Sequence, residues 1–298
     1  MNALPLVLAA DIGGTKILAA AVDAAGQVCA RCRLPTEAER GGAHVLKQIQ
    51  QALQQVQAEL PADLRPGAIG LSAAGVIDAS TARVIDATAV MPGWAGTDLR
   101  ATLGQAFGLP VQALNDVHAA LVGEQWLGAL ADAPQASALM LTLGTGLGGA
   151  LTLGHGLWSG HRQLAGHAGR MEVLHKGQRV SLDRLISGSG LARLMREHGG
   201  VAEDGRATLA ALDAGDARAQ AALDEWISLL ALQIDNLFWL LDPARIVIGG
   251  GMLDARTAWW PQLQSALRVP VQPEAAKLGN EAGLLGAAHR ALAGEAAR

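Results

Sequence analysis

Three things are scarce in this chain of 298 residues. Cysteine is the first: Cys29 and Cys32 are the only two. Two thiols cannot complete a tetrahedral zinc site, and no histidine lies near them in sequence. Three positions apart on a strand, they point to opposite faces, so they are read as reduced, structural residues. Positive charge is the second. The net charge is −4 and the 23 Lys and Arg residues form no block, so a nucleic acid finds no electrostatic footprint. Long apolar runs are the third: none approaches the roughly 18 residues that a membrane span needs. The opening MNALPLVLAAD has no basic leader segment, and its apolar run feeds a glycine turn in place of a cleavage site. The chain is therefore read as cytoplasmic, with neither a nucleic-acid nor a membrane partner.

What is present is apolar and glycine-rich. Half the residues are apolar, 17% are charged and 37 are glycine, which suits a globular α/β protein large enough for two domains. The organising stretch is LVLAADIGGTKILAAAV, from Leu6 to Val22. An apolar run ends in Asp11, turns through Ile12, Gly13, Gly14, Thr15 and Lys16, and resumes as a second apolar run. Glycine has no Cβ, so such a turn can close its backbone N–H groups on a phosphate. Asp11 can hold a magnesium ion through water, and Thr15 and Lys16 add donors. An ordinary hairpin turn has the same pattern.

A second copy tips the balance. SALMLTLGTGLGGALTLG, from Ser137 to Gly154, again reads strand, turn, strand, with the turn at Gly144, Thr145, Gly146, Leu147, Gly148 and Gly149. Two such hairpins half a chain apart predict a duplicated fold with a nucleotide between its halves. Gly144, Gly146 and Gly149 also fit G-x-G-x-x-G, but a β-like run follows where a dinucleotide site needs a helix, so that site is rejected. A third cluster, Gly249 to Gly251, follows an apolar strand, and Gly250 is the candidate for the adenosine side of the nucleotide.

Between these hairpins the periodicity predicts helices over 43–60, from Thr97 or Asp98 to 107, and over 116–130 with Val117, Leu121, Val122 and Trp126 inward. Further helices are predicted over 181–198 with a break at its glycines, 216–241, 256–267 and 282–297. Strands fall at 27–34, 68–73, 111–114 and 245–248, with a small hairpin over 76–85. The alternation argues for an α/β architecture. No linker divides the chain, so the junctions are read near Asp116 and Gly283. One domain then comprises 1–116 plus 283–298, and the other 117–282.

Asn115-Asp116 stands where a strand becomes a helix. Asp116 can be a helix cap worth about 1 kcal/mol, or it can take the proton of a sugar hydroxyl while Asn115 holds the neighbouring one. Trp94 borders the sugar or belongs to the core. His155, His161 and His175 lie near the glycine-rich loop 154–169, as pocket or surface residues. Trp226, Phe238 and Trp239 on the long helix serve packing or a dimer face.

DIGGTK, LSAAG ending in Gly75, LND, LGTGLGG, LAGHAGRM, LISGSGL, IVIGGG and EAGLLGAA occur in the order found in the ROK sugar kinases, and the chain resembles that family nearly end to end. The resemblance implies the two-domain actin-like ATPase (ribonuclease H-like) fold with duplicated halves. It implies phosphorylation of a hexose 6-hydroxyl by ATP with Mg2+, with Asp116 as base, the final helix folded back on the N-terminal domain, and a homodimer. The family's sugar loop typically reads AGExGH, with a sugar-binding glutamate and a zinc-binding histidine, followed by a three-cysteine zinc loop. Here His167 stands for the glutamate and Arg170 for the histidine, and the cysteines are missing, so structural zinc is expected to be absent. Asp183 falls where the family carries a further sugar-contacting glutamate, and it is the carboxylate suggested to pair with Arg170. The AGH variant is similar to bacterial N-acetylmannosamine kinases; a glucokinase that has lost its zinc is the alternative. The family's DNA-binding repressors carry an N-terminal helix-turn-helix, for which the residues before the first strand leave no room. A sugar sensor without one, and an unrelated ATPase of the same fold, are the remaining readings.

Overall fold

The computed structural model describes residues 5–154 and 156–296, so His155, Ala297 and the first four residues of the leader argument lie outside the described residues. The chain runs β1 (Leu6–Ile12), β2 (Lys16–Asp23), β3 (Val28–Pro35), α1 (Gly42–Ala58), β4 (Ala68–Ala73), β5 (Val76–Asp78), β6 (Arg83–Asp86), α2 (Leu99–Phe107), β7 (Val111–Asn115) and α3 (Asp116–Leu127). It continues through β8 (Ala138–Leu143), β9 (Leu147–Thr152), β10 (Glu172–His175), β11 (Gln178–Ser181), α4 (Gly188–Glu197), α5 (Gly205–Asp213) and α6 (Ala217–Leu241). The last elements are β12 (Arg245–Gly249), α7 (Trp260–Ala266), β13 (Glu274–Ala275) and α8 (Ala282–Ala296).

Two compact units result. The first holds residues up to Pro134, Ser159–Leu164 and those from Asn280 on; the second holds Gln135–Trp158 and Ala165–Gly279. The first unit's sheet has the order β3-β2-β1-β4-β7, the second unit's β13-β12-β8-β9. In each, a glycine hairpin (β1-β2 or β8-β9) joins two parallel strands on its first strand's open side (β4-β7 or β12-β13). The expected repeat is therefore a repeat of sheet order, and among the described residues the second unit's sheet has no counterpart of β3. The central strands β1, β4 and β8 read as nearly continuous buried runs, as strands covered on both faces do, whereas the edge strand β3 alternates half-buried and exposed. In the first unit α1 contributes Val45, Ile49, Leu53 and Val56 at helical spacing to a core shared with Leu8, Ile69 and Trp94. In the second, Trp226 and Trp259 meet edge to face at 5.4 Å inside the core.

The observed boundary differs from the one read at Asp116. α3 stays with the first unit, because α8 packs along it. The approach is backbone to backbone: a Cβ on Gly286 of α8 would fall 1.7 Å from the Ala119 carbonyl, and one on Gly70 of β4 would fall 2.0 Å from that of Ala287. Such contact also moves the buried face of α3. Of the four residues expected inward only Leu121 is fully buried, and its buried companions include His118, Ala119, Ala120, Gly123 and Glu124. Leu182–Arg184 is a short 3₁₀ turn, with α4 starting only at Gly188, and the 256–267 helix is broken before Trp260. The β10-β11 hairpin and α5 were not anticipated.

Candidate active site

β7 carries its polar end out of a buried strand. Asn115, not Asp116, is the cap of α3: its Oδ1 accepts the N–H of Val117 at 3.0 Å and of His118 at 3.3 Å. Its Nδ2 donates to the Gly75 carbonyl at 2.8 Å and to Asp116 Oδ1 at 2.7 Å. An amide has two donors and one twofold acceptor, so Asn115 is fully engaged. One of those donors steadies Asp116. Gly75 supplies the opposite anchor from a positive φ of 108°, where a Cβ would fall 2.6 Å from the Asp86 carbonyl.

Asp116 is held through Oδ1, which also accepts its neighbour Val117's N–H at 2.9 Å. Solvent reaches the side chain, yet protein crowds around it. That desolvation is the main cause of a carboxyl pKa pushed up to about 6; the Asp11 charge adds to it, against the hydrogen bonds from Val117 and Asn115. Asp11 stands at the end of β1. Its own pKa is raised by burial, against a 2.5 Å hydrogen bond from Ser72 Oγ and the charge of Lys16. α8 begins beside it, since a Cβ on Gly283 would lie 2.8 Å from Asp11 Oδ1. Asp11 and Ser72 offer only oxygen at the end of β1, the donor type that a hard divalent cation such as magnesium prefers.

Beyond Asp11 and Ile12 the first turn spans Gly13, Gly14, Thr15 and Lys16. Gly13 N–H donates to the Lys16 carbonyl at 3.0 Å, and buried Thr36 grips the turn from β3's end. Its hydroxyl donates to the Gly13 carbonyl at 2.7 Å and its N–H to that of Thr15 at 3.1 Å. Thr36 was missed because nothing local marks it.

In the second unit, Gly144, Thr145 and Gly146 turn between Leu143 and Leu147, and β9 follows them, so the helix of a dinucleotide fingerprint is absent. Gly188 N–H donates to the Gly144 carbonyl at 2.8 Å, and Ser189 Oγ bonds that of Thr145. Leu147 N–H is taken by Asp183 Oδ1 at 2.7 Å. Gly148 is half-buried within β9, and Gly149 is buried there against the Gly166 carbonyl, which a Cβ would approach to 2.4 Å. Gly250, with φ 90°, backs onto strand β8, where a Cβ would fall 2.4 Å from the Leu143 carbonyl. The Gly249–Gly251 cluster and the second turn therefore touch.

His167 is half-buried just ahead of the short 3₁₀ turn Ala168–Arg170, and Arg170 is exposed at that turn's end. Trp94 is a core residue, buried with its Nε1 donating to the Ala74 carbonyl at 3.1 Å. His161 is exposed. His175 is neither pocket nor surface: it is buried at 2.9 Å from Glu197 and 3.8 Å from Glu225. Among the described residues, no helix is long and apolar enough to cross a membrane.

A model of the ROK family matches residues 7–293. The chain is similar to the glucokinase of Halalkalibacterium halodurans, 31% identical over 310 residues that cover 93% of this chain and 92% of that one. It is also similar to the N-acetyl-D-glucosamine kinase of Aliivibrio salmonicida, 31% identical over 93% of this chain and 97% of that one. Among solved structures it resembles a ROK family glucokinase from Streptomyces griseus in complex with glucose and AMPPNP. That likeness has a TM-score of 0.77 at 26% identity and covers 98% of this chain and 100% of that one.

Proposed function

The chain belongs to the ROK family of sugar kinases, with their actin-like ATPase fold, and from that premise we propose that it transfers the terminal phosphoryl group of ATP to the 6-hydroxyl of a hexose or N-acetylhexosamine. N-acetyl-D-mannosamine is the substrate this reading favours. The observation that carries the proposal is Asp116: a carboxylate fixed by one oxygen at a strand end, with its pKa raised toward neutrality. A general base works best with its pKa near the working pH.

In the proposed reaction Oδ2 of Asp116 accepts the hydroxyl proton as the sugar oxygen attacks the γ-phosphorus. The bond from phosphorus to the bridging oxygen breaks, and ADP leaves with that oxygen. Asn115 and Gly75 keep Asp116 aimed. The turns at 12–16 and 144–149 take the phosphates through backbone N–H groups, Lys16 adds charge, and Gly250 lies on the adenosine side. Magnesium, arriving with ATP, neutralises phosphate charge when bound, and Asp11 is the residue to hold it. ATP as donor is consistent with a cytoplasmic protein.

The choice of sugar rests on His167 and Arg170 in the loop before β10. An imidazole donates one hydrogen bond and accepts one where a carboxylate only accepts, which changes the substituents that fit at sugar positions 1 and 2. The glucokinase relative at 31% identity supports glucose as the second reading. We further infer a homodimer. Leu232, Trp239 and Leu240 on α6 are 52%, 73% and 75% exposed, an apolar face that a second copy would cover. Sedimentation of wild type and Trp239→Glu tests it: dimer for the first, monomer for the second.

The activity test is ADP release with N-acetylmannosamine, N-acetylglucosamine, glucose and fructose. Turnover is expected to be fastest with N-acetylmannosamine. Glucose ahead of it transfers the assignment to glucokinase. Sugar binding without turnover makes the chain a sensor, and ATP hydrolysis independent of sugar removes the kinase reading altogether.

A further inference from the structure

The second glycine turn rests on a carboxylate from far along the chain. Asp183 lies 36 residues beyond Leu147, whose N–H its Oδ1 accepts at 2.7 Å. The carboxylate lies against the turn's backbone in space that glycine leaves open: a Cβ on Gly146 would fall 2.6 Å from the same Oδ1. Gly169, in the loop that carries His167 and Arg170, approaches as closely. A Cβ there would lie 2.2 Å from the Leu147 carbonyl and 3.3 Å from Asp183 Cβ. Three segments of the second unit therefore meet at one carboxylate: the glycine turn, the end of the His167 loop, and the 3₁₀ turn Leu182–Arg184.

Asp183 is itself well anchored. Its carbonyl accepts the hydroxyl of Ser187 at 2.6 Å, and that hydroxyl oxygen in turn caps α4 by accepting the Gly190 N–H at 3.0 Å. Trp226, buried in α6, donates its Nε1 to the Ser187 carbonyl at 3.1 Å. The next residue, Gly188, donates to the Gly144 carbonyl at 2.8 Å. Both ends of the turn, Gly144 and Leu147, are thus bonded to one short stretch, 183–188. Just before that stretch, Leu182 N–H donates at 2.8 Å to the carbonyl of Met171, the residue ahead of β10.

We infer that Asp183 is a positioning residue for the nucleotide, which fixes the second glycine turn by holding the Leu147 N–H and joins that turn to the His167 loop. The inference rests on the proposed ATP-dependent kinase reading. It also removes the Leu147 N–H from the set available to phosphate, because a backbone donor already bonded to a carboxylate has no proton to offer.

The test separates nucleotide from sugar. ADP affinity is measured by calorimetry, and KM for ATP and for sugar by steady-state kinetics, in Asp183→Ala and Asp183→Asn. A hydrogen bond to an ionised acceptor is worth on the order of tenfold in an equilibrium. Asp183→Ala is therefore expected to weaken ADP binding and raise KM for ATP roughly tenfold, with sugar KM moving less than about twofold. Asp183→Asn retains an acceptor oxygen and recovers most of the loss. Gly146→Ala provides a second route if Asp183→Ala does not fold. Its methyl displaces the carboxylate, so the same ADP defect is expected, and the double variant should lose no more than either single one. A rise in sugar KM in Asp183→Asn with ADP affinity intact would overturn the inference. So would additive losses, or an Asp183→Ala that binds ADP normally. Wild type that binds ADP but phosphorylates no sugar defeats the kinase reading and leaves the ADP comparison valid; wild type that binds no ADP defeats both.

Discussion

The two glycine turns share a scaffold and differ in what holds them. Each is a hairpin at the edge of a parallel pair, Ile12 facing Ile17 in one and Leu143 facing Leu147 in the other. The first is gripped by a neutral residue, Thr36, with its carboxylates Asp11 and Asp116 at strand ends beside the turn. The second is bonded by a carboxylate directly, through Asp183. In the first unit, negative charge stands where the proposed reaction needs a base and a metal-holding carboxylate; in the second, it bonds the turn's backbone. A duplicated fold can thus conserve a backbone cradle while its side chains divide the labour, since phosphate recognition by N–H groups places no demand on which side chain supports the turn.

The sharpest way to break this division is Asp116→Asn. The amide keeps size and hydrogen bonding but takes no proton, so kcat is expected to fall by about 10²- to 10⁴-fold, while ADP affinity stays within about twofold, as an amide preserves the local bonds. A loss as large from Asp183→Asn would mean that the two units are not specialised as described. A single-turnover measurement with saturating ATP reads the effect on chemistry alone.

The next effect is on pH. In the proposed reaction Asp116 must be ionised, and its carboxyl is raised to about 6. kcat should therefore be flat at higher pH and fall tenfold for each unit below about 6. Desolvation is the larger cause and the Asp11 charge a smaller one, so Asp11→Asn should move that limb to lower pH without returning it to an ordinary aspartate value. A limb that ignores Asp11 would show that the two carboxylates do not sense each other.

A third test uses acid stability in the second unit. Burial alone would raise the Glu197 carboxyl, but hydrogen bonds from Lys176, His175 and Arg193 outweigh it and hold the pKa at about 2. A depressed carboxyl stabilises the fold above its unfolded value and loses that contribution as pH falls toward its folded value. Stability should therefore decline between pH 4.5 and about 2, by a few kcal/mol at most. Glu197→Gln should flatten the decline. Acid loss of activity near pH 6 and acid loss of structure below 4.5 are then separate events, one in each unit.

How far the sequence revealed this arrangement depended on the range of the interaction. The glycine hairpins, the strand feeding Asn115-Asp116 and the Asp216-capped helix were legible because period and punctuation are local. The inward face of α3 was not, because glycine and alanine can be the most buried residues where another backbone must come close, as Gly286 does. The β10-β11 hairpin escaped notice because its two-residue turn is Lys176-Gly177. Lys176 at φ 49° is a residue that turn rarely uses. Thr36 and Asp183 were illegible as supports, since the side chain of each bonds a turn more than 20 positions away through a single atom.

The smallest effect sharpens the comparison most. Thr36→Val removes one neutral hydrogen bond to the Gly13 carbonyl and leaves the Thr36 N–H on Thr15 in place. The hydroxyl is buried, so its loss should cost about 1 kcal/mol, seen as ADP binding weakened roughly fivefold. Asp183→Ala should cost more, because an ionised acceptor makes the stronger bond and because Asp183 also joins the turn to the Gly169 segment. The ordering, and not either value alone, carries the argument. If calorimetry finds that Thr36→Val weakens ADP more than Asp183→Ala does, the neutral grip is the more important one, and the second turn's carboxylate is ornament upon a cradle that its own backbone already fixes.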